Sequence, residues 1–144
     1  MKRIFSLLLC LALLCCCAAC SGAATESGQV QVRLYYAVGG RSQAKKGLID
    51  FITLTLPQEE LAPEPLVQRL LEEPAGEGLY SPYPSGTQLI SAVQNGSKVQ
   101  VCMSPVYGEL SGLGETIADY CIVLTLCQLD GVESVNIRIE NGEE

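Results

Sequence analysis

The chain has 144 residues, of which 48% are apolar and 17% charged, and its net charge is −7 at pH 7. This length predicts one domain, and the acidic balance argues against nucleic acid or anionic lipid as a partner, because both require a basic surface. The chain contains no histidine, so the commonest general base and the commonest zinc ligand are both missing.

The start of the chain has the order of a secretory signal. Lys2 and Arg3 are followed by an apolar run over residues 4–14, and two alanines precede Cys20. Residues 1–19 are therefore predicted to be a leader. The apolar run is shorter than the ~20 residues that span a membrane, although counting on to Cys20 only just reaches that length. An uncleaved anchor thus remains the alternative.

The residues around Cys20 resemble a lipobox, in which a cysteine is acylated and becomes the mature N-terminus. Small residues precede Cys20 and Ser21-Gly22 follow it, whereas Cys17 stands where an aliphatic residue is usual. The resemblance implies a palmitate-type lipid on Cys20 and a position on the extracytoplasmic face of the cell membrane. Residues 20–28 are small and polar, which is typical of a flexible tether.

Two strands and a helix are predicted at the start of a domain that spans residues 29–140. Apolar and polar residues alternate over 30–36 and over 48–56, as in strands with one buried face. A polar, glycine-containing loop connects them over residues 37–47. Leu66–Glu73 predicts a helix, with Pro74 ending it. Its inner stripe comprises Leu66, Leu70, Val67 and Leu71.

The second half of the domain is predicted to be a hairpin, a long helix and a last strand. Residues 87–94 and 98–103 alternate on either side of Asn95-Gly96, a dipeptide that favours a tight turn because both residues tolerate positive φ. Residues 113–129 predict the long helix and residues 132–139 the last strand. The inner face of the helix is predicted to carry Leu113, Ile117, Tyr120, Leu124 and Cys127.

The element order is β-β-α-β-β-α-β. It predicts an α+β fold, a two-layer sandwich with both helices on one face of a mixed β-sheet. Residues 141–144 are left as a tail. If these faces are right, Val101→Asp and Leu124→Asp should each unfold the domain by burying an unpaired charge.

The candidate sites are few. Glu115 and Asp119 lie four residues apart but off the apolar stripe, which favours a solvated face. No metal site, catalytic residue or cofactor is predicted. The loop over residues 79–84 carries Tyr80 and Tyr83, which make it a candidate interaction loop. Three domain cysteines are expected to be free and mostly buried, with a disulfide as the open alternative: Cys102, Cys121 and Cys127.

Several blocks of the chain resemble the GerMN domain of sporulation and spore-germination lipoproteins. They are VRLYY, PLVQRLLEEP, YPSGTQLISAVQNGSKVQVCMS and IVLTLCQLDGVESVNIRI. Two departures stand out, since Cys102 replaces a usual Asp and TLCQL replaces a TLTQF-like segment. The resemblance implies a Gram-positive, often spore-forming source and kinship with ring-building envelope domains. It supplies no catalytic residues.

The sequence therefore predicts a non-catalytic interaction or assembly module of the cell envelope, tethered by lipid and possessing a protein partner or associating with itself. A link to sporulation or germination is implied by the resemblance alone. The alternative is a lipoprotein that binds a cell-wall fragment or a small solute. A hydrolase working through paired carboxylates is the least favoured hypothesis.

Overall fold

The structure, a computed structural model, describes residues 28–39 and 47–140. The predicted leader, Cys20 with its tether, loop residues 40–46 and the tail lie outside these ranges. The predicted leader, lipid on Cys20, tether, loop and tail therefore stay predictions.

Strands β1 (Gln29–Val38) and β2 (Ile49–Pro57) form an antiparallel pair that is in register along its whole length. The side chains of Val32, Leu34 and Tyr36 on β1 are buried. On β2, Leu56 is buried and Ile52 and Leu54 pack against the same core. The period-two prediction is confirmed for both strands.

Helix α1 (Pro63–Leu71) begins three residues earlier than predicted and ends three residues before Pro74. The two prolines at its start, Pro63 and Pro65, lie in the first turn, where the N–H that proline lacks has no helical acceptor. Three residues of the predicted inner stripe are fully buried: Leu66, Val67 and Leu70.

Four further strands complete two separate sheets: β3 (Leu79–Tyr80), β4 (Leu89–Asn95), β5 (Lys98–Met103) and β6 (Ser134–Ile139). The first sheet has the order β2-β1-β3 and is antiparallel. The second has the order β4-β5-β6, with β5 and β6 parallel. The α+β class is confirmed, but the strands form two small sheets where one was predicted.

The turn between β4 and β5 lies one residue later than predicted. Asn95 still pairs with Lys98, so the two central turn residues are Gly96 and Ser97. Gly96 has φ +63°, and no residue other than glycine has positive φ in the described part of the chain. This pattern matches a turn that needs glycine at its first central position alone, which explains why the Asn-Gly signal located the hairpin but misplaced its turn.

Helix α2 spans Gly112–Leu126, and the face predicted to be buried is not the one that packs on the core. The buried residues are Ala118, Cys121, Ile122, Thr125 and Leu126. The residues predicted to face inward lie on the outer side instead. Leu113 is 63% exposed, Tyr120 is 55% exposed and Leu124 is 37% exposed.

Both faces of α2 are apolar enough to be buried, so periodicity could not choose between them. The face that packs inward carries the small side chains Ala118, Cys121 and Thr125, which allow the helix to approach β1 closely. The outer face carries the α2 stripe, by which we mean Leu113, Ile117, Tyr120, Leu124 and Cys127. Leu124→Asp is therefore no longer expected to unfold the domain.

The core lies where α1 and α2 meet the inner faces of the two sheets. Both helices contact each other and β1, and they also reach β4 and β6 of the second sheet. Val99, Val101 and Met103 on β5 are fully buried, which confirms the burial predicted for Val101. Val135 and Ile137 on β6 pack against the same core. One core thus joins both sheets into a single domain.

Candidate interaction surface

The edge of β1 that faces away from β2 is partly covered by side chains. β3 pairs with this edge at Ala37 and Val38. Further along, the backbone N–H of Tyr35 donates to Thr125 Oγ1 at 3.2 Å, and that of Arg33 donates to Gln128 Oε1 at 2.9 Å. Gln128 Nε2 in turn donates to the Arg33 carbonyl at 2.6 Å. Thr125 and Gln128 therefore satisfy backbone groups of β1 that would otherwise pair with a neighbouring strand.

This role of Thr125 and Gln128 was not predicted from the sequence. The signal was present in the TLCQL block, where both polar residues stand among apolar ones. Their partners on β1 are 90 or more residues away in the chain. Periodicity relates only residues within one element, so it could not predict the contact between Thr125 and β1.

The predicted loop residues Tyr80 and Tyr83 have different surroundings. Tyr80 lies on β3 and is 46% exposed. The ring of Tyr83 stacks on that of Tyr107 with centroids 6.2 Å apart, and its hydroxyl donates to the Ala118 carbonyl at 3.4 Å. Burial raises the pKa of Tyr83 well above its usual value. Tyr83 thus anchors the loop, and an interaction role for the loop stays a prediction.

A small polar cleft of about 230 Å³ lies beside this loop. Glu73, Ser81, Ser85 and Thr87 line it together with the Tyr83 ring. Thr87 Oγ1 is buried and has no hydrogen-bond partner within the described part of the chain. The cleft therefore offers hydroxyl groups and one carboxylate to a small polar molecule.

Asp119 has a structural contact that the prediction of a solvated face did not include. Its carboxylate accepts a hydrogen bond from the Tyr107 hydroxyl at 2.5 Å. Burial, followed by this bond, raises the pKa of Tyr107 above its usual value. Glu115, four residues earlier, is exposed. Across residues 28–39 and 47–140, no three or more His, Cys, Asp or Glu side chains are grouped to hold a metal ion.

The three domain cysteines are free, and two of them are buried, as the sequence favoured. Burial raises the pKa of the Cys121 thiol to about 12, so this group stays protonated at neutral pH. Cys102 is buried on the outer face of the second sheet, opposite Ser91 and Arg138. Cys127 is exposed at the end of α2, within the α2 stripe.

The α2 stripe is a row of apolar side chains on the outer side of the helix, in which Leu113, Tyr120 and Leu124 are exposed and Ile117 is half-buried. Its five members follow one another at spacings of 4, 3, 4 and 3 residues, so they lie in one row along the helix. A second apolar patch lies on the outer face of the first sheet. There Phe51 is 40% exposed, lies 5.5 Å from the Tyr35 ring and is covered by the Arg33 guanidinium at 4.7 Å.

The two exposed features differ in what covers them. Phe51 already contacts a cation and a second ring, which shield part of its surface. Leu113 and Tyr120 on α2 keep more than half of their surface in water. Apolar surface in a row of this kind is typical of a binding face. We therefore take the α2 stripe as the candidate interaction surface.

No helix within the described ranges is both long and apolar enough to cross a membrane. This finding concerns the folded domain and leaves the predicted leader untested. A comparison with curated protein sequences gives no significant match.

Three solved structures share this fold. The first GerMN domain of the sporulation protein GerM from Bacillus subtilis has a TM-score of 0.62 at 21% identity, over 80% of this chain and 85% of that one. A Clostridium perfringens protein described as a lipoprotein gives 0.51 at 22% identity, over 79% and 76%. The tandem GerMN domains of Bacillus subtilis GerM give 0.58 at 17% identity, over 85% and 43%. The chain thus spans less than half of the tandem protein.

None of these descriptions names an enzymatic activity. The family profile described as Germane, sporulation and spore germination, matches residues 26–144, which is most of the chain. The resemblance drawn from the sequence blocks is thereby confirmed. This chain belongs to the Germane family of sporulation and spore germination proteins and has the GerMN fold.

Proposed function

We propose that this protein is a non-catalytic interaction or assembly module of the bacterial cell envelope, held by a lipid on Cys20 at the extracytoplasmic face of the membrane. The observation that carries the proposal is the exposed α2 stripe on an otherwise well-packed domain. Family membership supports a setting in sporulation or germination. The lipoprotein description of the Clostridium perfringens protein supports the anchored location.

The physical argument rests on the cost of exposed apolar surface. Fully burying one large apolar side chain contributes about 1.5–3 kcal/mol, and an exposed side chain does not gain this free energy. A folded domain that keeps such a row exposed gains this free energy when a partner covers it.

The interaction is tested in cells by replacing Tyr120 with a photoreactive amino acid in the full-length chain. Irradiation is expected to attach a protein to position 120. The matched control carries the same amino acid at Thr55, which is exposed on β2 away from α2. Equal and low yields from the two positions would contradict the proposed function.

The anchor is tested by Cys20→Ser. We expect the variant to lose its acyl group by mass spectrometry and to leave the membrane fraction. A variant that stays in the membrane and keeps the precursor mass would show that the leader is an uncleaved anchor instead.

A second candidate function is binding of a cell-wall fragment or a small polar solute in the cleft beside Tyr83. The observation that favours it is the buried Thr87 hydroxyl without a partner. Calorimetry with soluble peptidoglycan fragments tests it. Binding that is lost in Thr87→Val, and kept in the control Thr55→Val, would support this function. No heat with the unaltered protein would reject it for these ligands.

A further inference from the structure

We propose that the free edge of β1 beside Gln31 binds a short extended peptide, which adds a strand to the first sheet. No residue of the α2 stripe lines this site, so the inference goes beyond the proposed function and does not depend on it. It rests on a row of backbone groups along β1 and on the cavity into which this row opens.

Alternate residues of β1 turn their backbone groups toward opposite edges. Even-numbered residues bond on the β2 side, as both ends of the strand show. The Gly28 carbonyl accepts from the N–H of Gln58 at 2.5 Å, and the N–H of Val38 donates to the Leu48 carbonyl at 3.0 Å. The N–H and carbonyl groups of odd-numbered residues, Gln31 among them, therefore point to the other edge.

Three odd-numbered residues already have partners on this edge. Ala37 pairs with β3, and the N–H of Tyr35 donates to a hydroxyl on α2. Arg33 uses both of its backbone groups, because the Gln128 amide accepts from its N–H and donates to its carbonyl. That amide takes the place of a peptide group in a neighbouring strand. Gln31 is next in the row, and no described residue bonds to its N–H or carbonyl.

A cavity of about 330 Å³ lies at this incomplete position of the row. Residues 30–32 of β1 line it, together with Leu61 and Leu129, which also pack against the core. Its volume falls within the roughly 300–1,000 Å³ of ligand sites. The cavity distinguishes this position from an ordinary strand edge, because it places apolar surface beside free backbone groups.

An extended peptide matches both features. When a peptide adds to a sheet edge, its main chain supplies hydrogen bonds and its alternate side chains enter neighbouring pockets. Here one residue of the peptide pairs with the N–H and carbonyl of Gln31, and an adjacent apolar side chain contacts Leu61 and Leu129. Among the described lining residues only Asp130 is charged, so an acidic peptide is disfavoured.

The sequence of β1 leaves this edge open to pairing. Natural sheets commonly protect exposed edges with lysine, proline or a bulge. Residues 29–32 read QVQV, and the register between β1 and β2 is continuous through them. The edge beside Gln31 therefore lacks the features that discourage the addition of a strand.

The test begins with a random heptapeptide library displayed on phage, which is panned on the full-length chain in detergent. The enriched peptides are synthesised, and their binding is measured by fluorescence anisotropy. We expect them to carry apolar residues at alternate positions. A library that yields no peptide bound above the level of a blank surface would overturn the proposal.

Two proline variants locate the binding edge. Gln31→Pro removes the N–H that faces the cavity. Thr55→Pro is the matched control, because Thr55 lies opposite Gln31 in the register and its N–H points to the other edge of the strand pair. We expect Gln31→Pro to weaken binding about tenfold and Thr55→Pro to leave it unchanged. Circular dichroism checks that both fold. Unchanged affinity in folded Gln31→Pro would contradict the site.

A second measurement requires no variant of the protein. One enriched peptide is made in two forms, each N-methylated on alternate residues, so that each form blocks one edge of the extended peptide. A strand added to β1 tolerates methyl groups on its outer edge but not on the edge that bonds to Gln31. One form should therefore lose binding while the other keeps it. Equal affinities of the two forms would show that no strand is added.

The outcome is independent of the proposed function. Capture of a protein by the photoreactive residue at position 120 tests the α2 stripe, which the peptide does not contact. Failure of peptide binding therefore rejects the site on β1 and leaves that test to be decided by its own result.

Discussion

At the scale of single residues, Gln128 and Thr125 show how side chains can close an open strand edge. The amide of Gln128 both accepts from and donates to the backbone of Arg33. Thr125 accepts from Tyr35 two residues along the same edge. These bonds also hold the C-terminal end of α2 against β1.

Gln128→Ala is expected to lower the free energy of unfolding by about 0.5–1.5 kcal/mol, because it removes the amide hydrogen bonds to the Arg33 N–H and carbonyl at a site that water can reach. Urea denaturation measures the change. Gln100→Ala is the control, since Gln100 is exposed on the outer face of the second sheet. Similar values for the two variants would mean that the Gln128 bonds contribute nothing to stability.

The three domain thiols should differ sharply in reactivity. Cys127 is exposed, whereas Cys102 and Cys121 are buried, and burial holds the Cys121 thiol in its protonated form. A maleimide at neutral pH should therefore modify Cys127 first, and all three should react in denaturant. Peptide mass spectrometry locates the label. Labelling of Cys121 at the rate of Cys127 would contradict the placement of the inner face of α2.

At the scale of elements, α2 is the informative case. Both faces of this helix are apolar, and the sequence pattern predicted burial of the one that is exposed in the structure. The inner face was decided by size, since Ala118, Cys121 and Thr125 let the helix lie near β1. The proline-led start of α1 and the Gly96-Ser97 turn were smaller errors, each of one to three residues.

A matched pair of charge substitutions separates the two faces of α2. Ile122 is fully buried, so Ile122→Asp should unfold the domain by placing a charge in the core. Leu124→Asp, two residues away at a 37% exposed position, should cost only about 1 kcal/mol and leave the monomer folded. Circular dichroism melting curves distinguish them. If the Ile122→Asp variant folds and the Leu124→Asp variant does not, the face that carries Leu124 is the buried one, as the sequence pattern predicted.

At the scale of the whole molecule, a single core joins two three-stranded sheets through two helices. Buried hydroxyl and thiol groups are part of that core. Tyr36 is buried and donates to the Arg69 carbonyl at the end of α1, at 3.0 Å. Burial, and then the nearby Glu72 charge, raise the pKa of Tyr36 to about 12.

Stability should consequently fall at alkaline pH. The folded domain holds the pKa of both Tyr36 and Cys121 at about 12, against ordinary values of 10.0 and 9.0. As pH rises above about 9, the unfolded chain loses these protons while the folded domain keeps them, so unfolding becomes more favourable. The stabilisation from these two groups is fully present below pH 9 and decreases progressively between pH 9 and about pH 12.

Urea denaturation at a series of pH values measures this loss. Cys121→Ala should move the onset of the loss upward by about one pH unit, because the remaining groups with a raised pKa are tyrosines. Constant stability from pH 8 to pH 11 would contradict the burial of these groups.

The sequence by itself determined the local features of this protein. Alternation defined β1, β2 and β5, Asn95-Gly96 located the hairpin, and the resemblance of several sequence blocks indicated the GerMN domain. These signals act between residues that are close in the chain, so they can be read without knowing the fold. The leader and Cys20 were predicted in the same way.

Only the tertiary structure decided how the elements meet. It divided the strands into two sheets, used Thr125 and Gln128 to close the edge of β1, and turned the α2 stripe outward. Each of these outcomes depends on contacts between distant parts of the chain and on side-chain volume at close approach. Hydrophobic periodicity shows that a helix has an apolar face, but when a helix has two, packing alone selects the one that is buried.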